Sequence, residues 1–159
     1  DAVEARKWLY QTPMDILIKA HSGLRWVVLL LLLAAIFNAL ASRGKGKYEK
    51  KDKMLNLFAM VFLHIQLLIG LILYFNPNSG KINFVSGWMK NPQARFFGLE
   101  HLLIMVVAIT VITLGRRKAE KADMVAKKHS IIMNWYIIGL ILILAGIPWP
   151  FRGLGTGWF

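Results

Sequence analysis

The sequence HSGLRW at residues 21–26 stands directly before the apolar run VVLLLLLAAIFNALA at residues 27–41. The run contains no charged residue, and it predicts a membrane-spanning helix. His21 and Arg25 are four positions apart, so on a helix their side chains lie on one face, about one turn from each other. Polar groups at the edge of such a run are costly unless they have a role. We therefore take these two residues as candidates for binding one ligand.

The whole chain has the composition of an integral membrane protein. Hydrophobic residues make up 57% of its 159 positions, and its mean hydropathy is +0.51, which is more than a soluble domain usually carries. The formal charge of +12 would suit a nucleic-acid-binding protein, but the basic residues are gathered in two short blocks between apolar spans, so we expect no nucleic-acid partner. Because there is no cysteine, any cofactor must be held by His, Met or carboxylate groups.

Four apolar segments predict an all-α fold, an integral membrane four-helix bundle in a single domain at residues 1–159. The spans are expected at residues 16–41, 54–75, 96–115 and 130–147. Pro13 suits the first turn of the first helix, and Asn91-Pro92 gives the third helix an N-cap followed by proline. The sequence PWP at residues 148–150 cannot continue a regular helix, so the fourth helix should end there. The Gly-rich tail that follows should lie along the outer interface.

Two basic blocks determine the expected orientation. Residues 43–53 and residues 116–128 each carry six Lys or Arg and two acidic residues. The positive-inside rule places both blocks on the cytoplasmic side. We therefore predict a multi-pass membrane protein, N-out/C-out, surrounded by membrane lipids.

Three of the four histidines lie inside the predicted spans. Counted from the outer helix starts, His21, His64 and His101 lie roughly 12, 16 and 14 Å deep, which places them in one layer. Counted from the basic ends, the depths of the three histidines differ more. His64 and His101 have the most similar depths on both counts, whereas His21 and His101 occupy equivalent positions early in the two helices that run from the outer to the inner side. Facing imidazoles in an apolar bundle suit bis-His ligation of haem b. The alternative is that each histidine only packs and hydrogen-bonds.

Other polar residues near this layer offer further contacts. Arg25 can neutralise a haem propionate, pair with Glu100, or extend to the outer head groups. Glu100 can alternatively take protons from a quinol. Gln66 is expected to hydrogen-bond between helices. His129 stands beside two lysines, so we expect it at the solvated inner surface.

Four segments resemble small four-helix bacterial membrane proteins described as cytochrome b-like, broadly similar to the b561 type. They are HSGLRW at residues 21–26, FLHIQLLIG at 62–70, EH at 100–101 and AGIPWPFRG at 145–153, within a likeness that covers Ile16 to Phe159. The resemblance implies haem b and quinone-linked electron transfer, with His21, His64 and His101 at the matching positions. Proteins of the b561 type normally carry two His pairs at matched depths, which this chain does not plainly show. We therefore expect one haem rather than two.

The expected function is electron transfer between quinol and a periplasmic or membrane partner in the bacterial inner (cytoplasmic) membrane. The chain would be the electron-transfer subunit of an oxidoreductase, associated with other membrane-complex subunits. One alternative is a non-redox accessory subunit that stabilises a larger respiratory complex through its packing. Another is a histidine-and-carboxylate metal site or transport pathway. Because the chain has little surface outside the membrane, the sequence points to no catalytic domain there.

Overall fold

The chain forms four long helices, in a computed structural model that describes the backbone at residues 2–79, 82 and 84–158 and the side chains at residues 13–77, 79, 82 and 84–158. Helix α1 spans Ala2–Ser42, α2 spans Lys50–Phe75, α3 spans Pro92–Lys121 and α4 spans Val125–Gly146. Single 3-10 turns lie at Pro77–Ser79, Trp88–Lys90 and Pro150–Arg152. No strand occurs within the described ranges.

The helices form an antiparallel bundle in which each packs against its neighbours in sequence, and α1 closes the ring against α4. Helices α3 and α4 pack most closely, because Gly115 lies against Trp135 and Gly139 lies against Ile112, where a β-carbon would collide. Helices α2 and α3 are the neighbouring pair in loosest contact. The bundle is therefore tight on one side and open to a cavity on the other.

All four helices are long and apolar enough to cross a membrane. Each presents exposed large hydrophobic side chains on its outward face, for example Leu30, Leu68, Leu103 and Ile141. A soluble bundle would cover that face with polar groups. The predicted all-α bundle with four helices able to span a membrane is confirmed.

The helices are longer than the apolar spans from which they were predicted. Helix α1 begins at Ala2 and passes through Pro13, so the expectation that Pro13 marks its first turn is wrong. Helix α3 continues through basic residues to Lys121, and α4 already begins at Val125. Lysine, arginine, glutamate and alanine are good helix formers, so a helix need not stop where its apolar stretch stops. The start of α3 was predicted correctly, since Asn91 Oδ1 accepts a hydrogen bond from the Ala94 N–H at 3.0 Å.

The two basic blocks meet at one end of the bundle, which we call the basic end. The Tyr48 hydroxyl, between α1 and α2, donates to the Glu120 carboxylate of α3 at 2.9 Å. His129 Nε2, in α4, donates to the Lys47 carbonyl oxygen at 2.9 Å. At the opposite end, the tail end, α4 runs into the C-terminal tail. The blocks lie on one side of the bundle as expected, and the side of the membrane to which they belong stays a prediction.

Candidate cofactor site

A cavity of about 400 Å³ lies inside the tail end of the bundle, and all four helices contribute to its wall. The wall includes Ile18, His21, Arg25 and Val28 of α1; Leu63, Gln66, Gly70 and Tyr74 of α2; Phe97, His101, Met105 and Ile109 of α3; Ile143 and Ile147 at the end of α4; and Gly155, Thr156 and Gly157 of the tail. Spacings of three and four residues show that each helix presents one face. The volume lies in the range of natural ligand pockets, roughly 300–1,000 Å³, and the mostly apolar wall with few polar groups is also typical of them.

His21 and His101 face each other in this cavity. Their ring centroids are 6.2 Å apart, and the ring planes are inclined at 78°. The two residues come from α1 and α3, which lie diagonally across the bundle. The structure therefore brings together the two histidines with equivalent topological positions.

The His101 ring is held by the end of α4. Its Nδ1 lies 2.7 Å from the Gly146 carbonyl oxygen; because a carbonyl only accepts, Nδ1 carries the proton and Nε2 keeps a free lone pair. In a longer helix the Gly146 carbonyl would accept a hydrogen bond from the N–H of residue 150. Residue 150 is proline, which has no N–H, so this carbonyl is available to the His101 ring. A hydrogen bond of this kind is what orients most metal-binding histidines.

Tail residues bond the other carbonyls at the end of α4. The Trp149 indole N–H donates to the Leu144 carbonyl at 2.8 Å, and Arg152 Nη1 donates to the Ala145 carbonyl at 2.7 Å. The His101 ring donates to the next carbonyl, that of Gly146. Three successive carbonyls at the helix end therefore each accept a hydrogen bond from a side chain. The PWPFR sequence thus ends α4 and folds the tail back, so that the glycines near its end join the cavity wall.

His21 lies against Gly70, and its main chain is tied to Gln66. A β-carbon at position 70 would lie 3.1 Å from His21 Cε1, so the glycine gives the ring its space. Gln66 Nε2 donates to the His21 carbonyl oxygen at 2.7 Å. The His21 ring faces the Gln66 carbonyl, but its Nδ1 makes no hydrogen bond of good geometry. His21 Nδ1 thus differs from His101 Nδ1, which has a hydrogen-bond partner.

Three buried polar atoms of the cavity wall have no hydrogen-bond partner: His21 Nδ1, Arg25 Nε and Gln66 Oε1. Elsewhere in the described part of the chain, two further buried side-chain atoms share this state, Asn56 Oδ1 and Arg116 Nε. Folded proteins leave few such atoms, and each costs roughly 1–3 kcal/mol. In the cavity wall these three atoms are positions at which a ligand or water could form hydrogen bonds.

Arg25 is buried under the tail, with 9% of its surface exposed. Its Nη2 donates to the Trp158 carbonyl oxygen at 2.6 Å, and its guanidinium carbon lies 5.2 Å and 6.0 Å from the ring centroids of Trp26 and Trp149. Two of the expected environments are therefore wrong. Arg25 does not pair with Glu100, and it is folded beneath the tail instead of extending away from the bundle.

Glu100 lies outside the cavity wall. Its Oε1 accepts a hydrogen bond from Arg95 Nε at 2.6 Å, and both side chains are partly exposed. Residues Phe96–Glu100 form a π-helical turn directly before His101. Such turns occur often at functional sites, and nothing in the sequence reasoning indicated this one. The position of Glu100 gives no support to its expected role as a cofactor contact.

His64 is not brought to the histidine pair. Its Nδ1 donates to the Met60 carbonyl oxygen of its own helix at 2.8 Å. It follows the wall residue Leu63 by one position, and a rotation of about 100° per residue turns it away from the cavity. In the part of the chain that the structure describes, no group of three or more His, Cys, Asp or Glu side chains can hold a metal ion. The expected layer of three histidines is therefore one pair.

His129 is buried, contrary to its expected solvated position. Only 1% of its surface is exposed, and its ring packs edge-on against Tyr48 with centroids 5.1 Å apart. Of its two lysine neighbours, Lys127 is exposed and Lys128 is half-buried, while His129 shares the buried face of α4 with Ile132 and Tyr136. The hydrogen bond to the Lys47 carbonyl, given above, satisfies its Nε2.

Further polar residues surround His129 and form what we call the basic-end network. Its members are Asn38, Tyr48, Asp52, Asn56, His129 and Tyr136. Asn38 Nδ2 donates to Asp52 Oδ1 at 2.7 Å, and Asn56 Nδ2 donates to the Tyr48 hydroxyl at 3.1 Å. The Tyr136 hydroxyl donates to the Asn56 carbonyl at 2.8 Å. These bonds tie α1, α2 and α4 together.

The donors at the tail end determine what that site can do. Two imidazole nitrogens can bind one metal ion, while the guanidinium and the amide oxygen can bind polar groups of a larger ligand. No family model matches the chain, and no curated protein or solved structure matches it either.

Proposed function

We propose that the chain binds one haem b through His21 and His101 and transfers electrons between quinol and a protein partner. The observation that carries this proposal is a pair of facing imidazoles in a mostly apolar cavity, where no third His, Cys, Asp or Glu among the described residues completes a metal site. Zinc sites use three or four protein ligands. Haem iron takes four nitrogens from its porphyrin, so two axial histidines from the protein are enough.

The geometry of the pair supports this choice. A centroid separation of 6.2 Å leaves space for two metal–nitrogen bonds of about 2.0 Å each, once the ring radii are added. The free lone pair on His101 Nε2 is the required donor. The unpartnered Arg25 Nε and Gln66 Oε1 add polar positions for the edge of a ligand that is otherwise apolar. The residues present therefore fit the group.

When bound, the haem supplies a one-electron carrier within the membrane. The chain's own residues would do the rest: His21 and His101 would hold the iron, and the Gly146 carbonyl would keep the His101 ring in one orientation and raise its basicity. Met105 and Ile109 of the wall would exclude water from the cavity.

The proposed reductant is a quinol from the lipid phase. Helices α2 and α3 are in the loosest contact of any neighbouring pair, and both contribute heavily to the cavity wall. A lipid-soluble molecule can approach between them without disturbing the tightly packed α3–α4 side. Because the parts outside the helices are small, we propose that the protein partner is another subunit of a membrane complex.

The visible spectrum of the purified full chain tests the proposal. After expression with added haem precursor, dithionite should produce the sharp absorption bands of a reduced six-coordinate haem b, and anaerobic duroquinol should produce the same bands. A folded protein without haem would contradict the proposal. Reduction by dithionite but not by duroquinol would contradict only the quinol part.

For the orientation, we propose that the basic end faces the cytoplasm of a bacterial cell, which makes the protein N-out/C-out. The six Lys or Arg in each basic block support this. Reporter fusions after Lys45 and after Lys121 should both show cytoplasmic behaviour, with fluorescent GFP and inactive alkaline phosphatase. Periplasmic behaviour at either position would contradict the orientation.

A further inference from the structure

Arg25 is a buried cation with no anion beside it among the described residues. It is nine-tenths buried, and within the described ranges it makes no ion pair. Glu100, the acidic residue expected beside it, is engaged by Arg95 at 2.6 Å. A lone charge removed from water is strongly destabilising, whereas one that meets an opposite charge is tolerated. The fold therefore leaves a positive charge that a partner from outside the chain can neutralise.

The donors of Arg25 are only partly used. Nη2 bonds the Trp158 carbonyl, and the guanidinium plane gains cation–π contacts from Trp26 and Trp149. Its Nε has no acceptor, although Arg25 is part of the cavity wall. The other titratable side chains of the described cavity wall are His21, His101 and Tyr74. The two imidazoles cannot supply a negative charge, and the Tyr74 hydroxyl donates to the Gly98 carbonyl oxygen at 2.8 Å. The cavity thus has a positive end beneath the tail.

We infer that the ligand of this cavity carries an oxyanion, a carboxylate or a phosphate, that binds Arg25 beneath the C-terminal tail. The planar guanidinium suits such groups because its parallel N–H donors match two oxygens of one acid. Two sources fit: a propionate of the haem, in which case the inference rests on the proposed function, or the phosphate of an anionic phospholipid entering between α2 and α3, in which case it does not.

The first arm of the experiment uses ferric haem b and its dimethyl ester, in which both propionates are uncharged. Titrated into the full chain in neutral detergent, wild-type protein should bind haem more tightly than the ester by on the order of tenfold or more, the effect of a charge-assisted hydrogen bond. Arg25→Gln should bind haem only as tightly as the ester and leave the affinity for the ester unchanged. Arg25→Lys, which keeps the charge, should retain part of the preference.

The second arm uses native mass spectrometry after reconstitution with equal amounts of phosphatidylglycerol and phosphatidylcholine. If the oxyanion is a lipid phosphate, wild-type protein should retain phosphatidylglycerol and Arg25→Gln should lose it. The matched control in both arms is Lys19→Gln, which removes the same charge from an exposed position of the same helix and should behave as wild type.

The outcomes separate this inference from the proposed function. If wild-type protein binds neither haem nor its ester, the proposed function fails, and the lipid arm alone decides the inference. If His101→Ala loses both haem and ester while wild-type protein binds the two equally, the proposed function stands and the propionate source is wrong. The inference is overturned when neither arm gives a preference for the acidic ligand that depends on Arg25. If Arg25→Gln does not fold, the comparison of wild type with Arg25→Lys takes its place.

Discussion

The two polar regions of the bundle contain the same kinds of residue, but one is closely packed and the other surrounds a cavity. His101 at the tail end and His129 at the basic end each donate from one ring nitrogen to a backbone carbonyl. The ring of His129 is then enclosed against Tyr48, whereas His101 borders a cavity of about 400 Å³. Three unpartnered polar atoms belong to the cavity wall, against one in the basic-end network. The difference shows that free volume and unpaired neighbours, and not the histidine itself, distinguish a ligand site from a packing site.

If the basic-end network serves the fold, removing its central acceptor should have the largest effect on stability. Asp52 has 1% of its surface exposed and accepts hydrogen bonds from Asn38 Nδ2 and from the Glu49 N–H, both at 2.7 Å. Asp52→Ala should lower the free energy of unfolding by roughly 3–5 kcal/mol, because two bonds to a carboxylate are lost. Far-UV circular dichroism during denaturation in detergent micelles measures this. The exposed Asp123→Ala should change little, and an equal loss there would contradict the comparison.

A matched pair of amide substitutions sharpens the contrast between the two ends. Gln66→Leu should change the free energy of unfolding by less than about 1 kcal/mol, since the lost bond to the His21 carbonyl is offset by removal of a buried unpaired oxygen. Asn38→Leu should cost roughly 2–3 kcal/mol, because the buried Asp52 carboxylate loses the donor that bonds its Oδ1 at 2.7 Å and Asn38 has no unpaired buried oxygen to offset the loss. The same unfolding assay compares them. An equal loss of unfolding free energy at the two positions would contradict the difference between the tail end and the basic end.

The smallest expected effect is the pH dependence of the basic end. Burial raises the pKa of Tyr48 to about 12 from the usual 10.0. The folded state thus favours the neutral phenol, so this contribution to stability is complete below pH 10 and is lost as the pH rises to 12. Because the phenol is only half-buried, solvent screening keeps the loss small.

Unfolding measured between pH 9 and pH 12 checks this effect. Tyr48→Phe should flatten the alkaline decline relative to wild type, whereas Tyr74→Phe, at the tail end, should keep it. A decline that is the same in all three proteins would show that Tyr48 does not couple to folding.

The fold class was predictable because it depends on lengths and local breakers. Four charge-poor segments near 20 residues can only be buried in lipid or in a core larger than this chain can build. Asn91-Pro92 and the prolines after residue 147 gave one helix start and one helix end correctly. The ends at the basic side were missed, because lysine and arginine terminate a membrane span without terminating a helix.

The histidine pairing was only half predictable. The depth of a residue can be counted from the ends of its helix. The direction of its side chain depends on which face of the helix packs toward the bundle interior. His64 has a suitable depth and the wrong direction, one position past the wall residue Leu63. A signal for His129 was present, since it recurs with Ile132 and Tyr136 at spacings of three and four, but the flanking lysines obscured it.

The support of His101 by α4 could not be predicted. Pro150 predicts the end of a helix, but the neighbouring sequence does not indicate that the free Gly146 carbonyl accepts a hydrogen bond from a ring of α3. The same holds for the tail, where the Trp158 carbonyl receives Arg25 across 133 positions of sequence. Contacts of this kind depend on how the helices are arranged, which the local pattern of one sequence does not specify.

The haem content of four single variants tests the central claim most directly. We expect His21→Ala and His101→Ala to lose the haem, while His64→Ala and His129→Ala keep one haem per chain. His129→Ala should be less stable than wild type, because the Lys47 carbonyl is left unpaired. The pyridine haemochrome assay on purified protein gives the ratio. Full haem in His21→Ala or His101→Ala, or its loss in His64→Ala, would contradict the assignment of the site to the His21–His101 pair.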